Sequence, residues 1–193
     1  MNLDTLREKV KCFESKWFPP NGERGKFWFT ARSSEFYPFM LDLCAQFMET
    51  VETVEILEDP QYLATALKEG RWPNETIVSL AVMLDQMPRN ALAVNFGRFV
   101  SCDPLDVKNH IDDRFSYTFA LTVLEECMLS DVHDERIICF FSLVFRHSND
   151  FERSEKVLLT LSNDNSVETL PSLGKRFWNE TQKRRNSLVF SLK

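Results

Sequence analysis

"LDQMPRN", residues 84–90, is the stretch on which the reading of this chain turns. It closes an apolar run, IVSLAVML (residues 77–84), in which Ser79 is the one polar residue. Polar side chains are costly to bury, so their sudden arrival at the end of such a run needs a reason. Asp85 and Arg89 stand four apart, the spacing of an ion pair on one helical face. Pro88 lacks an N–H and crowds the preceding turn, which predicts a kink or a stop there. Asn90 tolerates the left-handed conformation that ends many helices. Two readings follow. Either this is a terminated helix whose loose carbonyls are tied by Arg89 and Asn90, or Asp85, Gln86 and Arg89 line the mouth of a pocket, with Arg89 as an anion clamp.

Outward from this stretch the helical period dominates. Leu3, Leu6, Val10, Phe13 and Trp17 form one apolar stripe, and "FPPNGERG" (residues 18–25) breaks it. "FWF" (residues 27–29) restarts order, and Ser33, Ser34 and Glu35 offer caps for a helix carrying Phe36, Phe39, Met40, Leu43, Phe47, Val51 and Val54. Pro38 falls in its first turn, where proline is tolerated. A short helix is predicted over 61–68, and Pro73 opens the run above. Asp103-Pro104 reads as a helix start. Further helices are predicted over 115–128, 135–146, 151–161 and from about 173. The expectation is an all-α, antiparallel array of about eight helices in one domain, 1–193, with a basic segment at 171–193.

The 193 residues allow a real core, and the 44% hydrophobic and 27% charged fractions are those of an ordinary globule. Seventeen phenylalanines supply much of the apolar area, while five glycines argue against a turn-rich β protein. The net charge of −6 gives no general attraction to DNA or anionic membrane. It hides an asymmetry, because residues 171–193 carry six basic residues against one acid, Glu180. That segment is +5, which leaves −11 for the rest. Such a tail either docks on its own acidic body or meets an anionic partner. The five cysteines never take CxxC spacing, so free, reduced thiols are expected, in an intracellular and by default cytoplasmic protein, with a mitochondrial location left open. No apolar run approaches membrane-spanning length.

"RHSND" (residues 146–150) closes a second apolar helix, IICFFSLVF, in the same manner. His147, Ser148 and Asp150 are the residue types of a nucleophilic triad, but adjacency in sequence is not triad geometry, and no G-x-S-x-G turn surrounds Ser148. No catalytic residue is assigned. His110, His133 and His147 lack ligand spacing, and there is no Walker or dinucleotide fingerprint, so neither metal nor cofactor is expected. In the tail, Lys175 and Arg176 adjoin Phe177 and Trp178, followed by Lys183, Arg184 and Arg185. Basic groups interleaved with aromatics grip RNA phosphates and stack bases, or else form a helix with its aromatic face inward.

Taken together, these blocks resemble domain-of-unknown-function family 924, best known from bacteria. Its hallmark is a helix ending in LDQFPRN, from which residues 84–90 depart only at Met87. A phenylalanine and a T-D-P-like turn correspond to Phe99 and Cys102-Asp103-Pro104-Leu105. An HSED block corresponds to His147-Ser148-Asn149-Asp150, with Glu152 and Glu155 beyond it. The aromatic block near the family's N-terminus is echoed by Trp17-Phe18 and Phe27-Trp28-Phe29. Val144 replaces a usual proline, and residues 107–113 look inserted. The family's closing block, like RFGRFPHRN, survives only as Arg176-Phe177 and, after extra residues, Arg185-Asn186.

The resemblance implies a tetratricopeptide-like (TPR-like) helical fold and a polar site where the PRN arginine, the HSED histidine and the terminal block converge. It supplies no reaction. The expected function is a non-catalytic helical interaction protein, a subunit or accessory factor of a larger protein or ribonucleoprotein assembly. One alternative is a small-molecule-binding protein or hydrolase with its site around Arg89 and His147. Another is RNA contact through the basic tail.

Overall fold

The computed structural model describes residues 2–20, 36–126 and 128–191. Over these residues the chain forms nine α-helices: α1 (Leu3–Trp17), α2 (Phe36–Leu57), α3 (Pro60–Glu69), α4 (Asn74–Ala93), α5 (Val107–His110), α6 (Arg114–Glu125), α7 (Glu135–His147), α8 (Phe151–Leu159) and α9 (Ser172–Ser191). A 3₁₀ turn at Gly97–Phe99 follows α4, and no strand occurs among the described residues. The all-α expectation holds. The helix beyond the expected eight is the four-residue α5. The expected cap at 33–35 and the aromatic block at 27–29 lie outside the described residues.

Two helices form the centre. From Thr76 to Pro88 every residue of α4 is buried, and so is every residue of α7 from Ile137 to Phe145. A helix apolar all round must be surrounded. Accordingly α4 packs against α1, α2, α6 and α7, and α7 against α4, α6, α8 and α9. The outer helices bury one face each. In α1 that face is Leu6, Val10, Phe13 and Trp17, while Leu3 sits at the exposed end of the predicted stripe.

Aromatic rings join the layers. Phe13 meets Phe47 edge-on at 5.7 Å, linking α1 to α2. Trp17 meets Phe140 at 5.6 Å, and Phe140 meets Phe177 at 5.4 Å, which carries the contact from α1 through α7 to α9. Edge-to-face pairs add to the burial of area, and this use of rings explains the phenylalanine excess.

Two local expectations are corrected. α4 does not stop at Pro88 but continues to Ala93. Proline removes one hydrogen bond of the ladder, and the buried surroundings on both sides of Pro88 hold the helix together across that loss. The left-handed exit is taken by Asn95 (φ 52°), not Asn90, with Phe96 N–H donating to Ala91 O at 2.8 Å. Similarly, Asp103-Pro104 makes a turn, in which Asp103 Oδ1 accepts from Leu105 N–H at 2.9 Å. The next helices begin at Val107 and Arg114.

Phe141 is fully buried in α7 and edge-on to Phe145 at 5.5 Å. Phe141→Ala is expected to cost about 3–5 kcal/mol of unfolding free energy, measured by urea denaturation. A loss below about 1 kcal/mol would contradict a close-packed centre.

Candidate functional site

The polar groups of "LDQMPRN" are buried because they meet those of "RHSND". The Asp85 side chain is completely inaccessible to solvent. Three neighbours approach it: Gln86 Nε2 donates at 2.6 Å, Arg89 Nε at 3.2 Å, and His147 Nδ1 lies 2.8 Å from Oδ2 and 3.0 Å from Oδ1. Arg89 also pairs with Asp113, just ahead of α6. Asn90 Nδ2 donates to Gln86 O at 2.7 Å, so of the two expected carbonyl ties Asn90 makes one and Arg89 none.

Charge follows from this geometry. Burial opposes ionisation of Asp85, but His147 and Arg89 outweigh it and hold the carboxyl well below the usual carboxylate range. For His147, burial is the largest influence and lowers its pKa from the ordinary 6.5. Asp85 works against that shift, while Arg89 and Arg146 add to it. Near neutral pH the pair is therefore a carboxylate and a neutral imidazole. An ionised carboxylate only accepts, so the imidazole proton sits on Nδ1 and Nε2 keeps a lone pair.

Beside this pair lies a cavity of about 550 Å³ between α4, α7 and α9. Gln86 and Arg89 come from α4. Phe140, Leu143, Arg146 and His147 come from one face of α7, and Arg176, Phe177, Glu180 and Arg184 from one face of α9. A second cavity of about 700 Å³ adjoins it, and Arg89, His147 and Arg184 line both.

Two of these arginines lack a carboxylate partner among the described residues. Arg146 Nε is buried without a hydrogen-bond partner, and burial followed by the charge of Arg184 pushes its pKa down to about 10. Arg184 donates only to neutral oxygens, His147 O at 3.5 Å and Asn149 Oδ1 at 3.3 Å. Burial, then Arg89, lowers its pKa as well.

The sequence-selected residues therefore divide. Asp85, Gln86, Arg89, Asn90 and His147 form one network, and Arg184 reaches the same place from the tail. Ser148 lines the second cavity, but its buried Oγ makes no hydrogen bond, so His147 does not activate it. Asp150 stands apart as the cap of α8. It accepts from Arg153 N–H at 3.1 Å, Arg153 Nη1 at 2.5 Å and the Tyr117 hydroxyl at 2.9 Å. A Ser–His–Asp triad is not assembled from residues 147–150.

In the tail, Lys183 pairs with Glu180 at 2.6 Å and Arg185 with Glu155 at 2.8 Å. Trp178 is partly buried against the core, while Lys175 and Arg176 are exposed. The tail thus docks on its own body. Sequence reasoning passed over Asp113, Arg146 and Glu180 as site residues. The spacing of Phe177, Glu180 and Arg184 at i, i+3 and i+7 was the available signal for a shared face on α9.

Among the described residues no three of His, Cys, Asp and Glu gather as a metal site, and no helix is long and apolar enough to cross a membrane. Comparison with known proteins found no matching family model, no similar curated protein and no similar solved structure.

A lowered His147 pKa means that the unfolded chain binds more protons below pH 6.5, so stability falls as pH drops through that value. The depressed Asp85 carboxyl adds a further loss at lower pH, starting near its ordinary 3.8. Urea midpoints measured across this range are expected to decline, and His147→Gln is expected to flatten the portion around 6.5. An unchanged profile in that variant would place the titration elsewhere.

Proposed function

We propose that this protein binds a small anionic ligand in the cleft between α4, α7 and α9. One observation carries the reading: the guanidinium groups of Arg146 and Arg184 face a common cavity with no carboxylate partner among the described residues. Buried charges are ordinarily paired, and two like charges near each other raise the cost of leaving them unpaired. An anion entering the cleft removes that cost. Arginine suits the task because its planar fork matches carboxylate and phosphate oxygens. Arg89 is already matched by Asp85 and Asp113, so it acts as a fixed wall and leaves the other two as clamps.

The resemblance to family 924, with its TPR-like arrangement, belongs to this proposal too. It rests on the ordered blocks at 84–90, 102–105 and 147–150, and on the meeting of the first and third at Asp85 and His147.

Arg146→Met and Arg184→Met each test the reading. Inorganic phosphate or sulfate is expected to raise the melting temperature of the wild type, with an effect that shrinks as sodium chloride is added. Each variant is expected to weaken binding at least tenfold, about 1.4 kcal/mol. Meanwhile Arg146→Met should leave the ligand-free protein equally or more stable, by on the order of 1 kcal/mol, since it removes an unpaired buried charge. A destabilised Arg146→Met variant with unaltered anion response would overturn the assignment.

A second reading, the assembly subunit, is favoured by the junction of α2 and α3. Ile56 is 79% exposed, Leu57 63% and Tyr62 69%, an apolar group of the kind protein interfaces cover. The double variant Ile56→Glu, Tyr62→Glu is expected to fold as the wild type and to lose a defined partner recovered by affinity purification. RNA contact through the tail would have to compete with the Lys183 and Arg185 ion pairs, so ribonuclease is expected to leave that recovery unchanged. Sensitivity to ribonuclease would instead favour the ribonucleoprotein reading.

A further inference from the structure

Arg89, His147 and Arg184 line both cavities and stand at the boundary between them, the waist. On one side Phe140, Leu143 and Phe177 form an apolar strip of a wall that also carries Gln86, Arg176 and Glu180. On the other, Leu105, Val107 and Ile111 form the wall and Lys108 adds a charge. The combined space exceeds what a bare inorganic anion fills, so a ligand held at the waist has room for an organic body on either side.

The chemistry of the waist narrows the anion. Arg184 at the waist and Arg146 beside it, in the first cavity, offer donors. His147 offers the opposite, a lone pair on Nε2, because Asp85 fixes the proton on Nδ1. The bound group must therefore accept from guanidinium and still bring a proton to the imidazole. A carboxylate brings no proton near neutral pH, so it pairs with Nε2 only after the imidazole has taken a proton from solvent, and its single charge offsets less of the opposition from burial, Arg89 and Arg146. A sulfate ester likewise carries no proton near neutral pH. A phosphomonoester, with its second ionisation near pH 6, satisfies both sides, either as P–OH donating to Nε2 or as a dianion accepting from a protonated Nε2. The two descriptions hold the same proton.

We propose, building on the anion-binding reading, that the waist takes the phosphoryl group of a phosphomonoester with an apolar body. The complex then holds one proton more than its separated parts, shared between His147 Nε2 and a phosphoryl oxygen. The groups around the imidazole agree. Asp85 from α4 favours its charged form, while Arg89 from α4 and Arg146 from α7 oppose it. Asp106 and Lys108 at the head of α5, Asp113 ahead of α6, and Arg176, Glu180 and Arg184 from α9 complete the charged surroundings of the two cavities. Burial opposes the charged imidazole most, and a dianion placed against the arginines removes their share of the opposition and adds its own attraction to that of Asp85.

Titration calorimetry of the full chain separates the possibilities, with phenyl phosphate, phenyl sulfate and benzoate as probes in phosphate-free buffers of high and low ionisation enthalpy. Phenyl phosphate is expected to bind at least tenfold tighter than the other two, with an enthalpy that changes between buffers by about one proton taken up. Its affinity should fall as pH rises above neutrality, a wild-type measurement that stands even if a variant fails to fold. His147→Gln is expected to abolish the buffer dependence and weaken phenyl phosphate selectively. No buffer dependence, or equal binding of phenyl sulfate or benzoate, overturns the phosphomonoester assignment and leaves the anion site standing. Failure of all three probes to bind takes down the anion-binding reading as well.

Discussion

The fully buried carboxylate of Asp85 constrains the centre of this protein more than any other group. A lone ionised carboxylate in such a place would cost many kcal/mol, so the fold must bring partners to it. Gln86 and Arg89 come from its own helix, but His147 comes from the far end of α7. Because α4 and α7 are the two helices buried all round, one hydrogen-bonded pair fixes how the last turn of α7 sits against α4. Asp113 then extends the same network to the head of α6 through Arg89. Apolar packing alone tolerates small slides between helices, whereas a buried ionic network has one satisfied arrangement.

That constraint has a consequence at the surface of the network. Asp85 takes Nδ1 of His147, and Asp85 and Asp113 take Arg89, so every acidic group near the centre is engaged. The next basic residues outward, Arg146 and Arg184, have no carboxylate at ion-pair distance among the described residues, since Glu180 on the same cavity is paired with Lys183 and reaches Arg146 only through its field. They remain around a cavity because α9 lies across α7 on its apolar face, through Phe177 against Phe140, and so brings Arg184 to the end of α7. The cleft is thus a by-product of two packing decisions, one polar and one aromatic.

How far the sequence disclosed this depends on the range of the interaction involved. The helices were legible because Leu6, Val10, Phe13 and Trp17, or Met40, Leu43, Phe47 and Val51, repeat at helical spacing within a few residues. Asp85 with Arg89 was legible for the same reason. A stop at Pro88 and a left-handed exit at Asn90 did not occur because those local rules assume a helix end, and burial of the neighbouring turns on several sides overrode them. Asn95, the actual left-handed residue, carries no stronger local signal than Asn90. The meeting of Asp85 with His147, 62 residues apart, is not inscribed in either segment alone, and only the like appearance of the two knots hinted at it. Arg146 was harder still. Its importance lies in what it lacks, and the lack of a partner is a property of the assembled fold.

The tail shows why composition and site cannot be separated here. A +5 segment on a −11 body suggests simple electrostatic adhesion, yet the adhesion is unevenly distributed. Arg185 and Gln182 both reach Glu155, and Thr181 and Phe177 are buried, so one face of α9 is tied down by specific contacts. Arg184, between those anchored positions, meets only neutral oxygens, His147 O and Asn149 Oδ1. Burial and the nearby charge of Arg89 both oppose its guanidinium, so Arg184 is the least favourably placed cation of an otherwise well-anchored helix face. The third wall of the cleft comes from a regular helix face, in which Arg176, Phe177, Glu180 and Arg184 are aligned by the period of the helix.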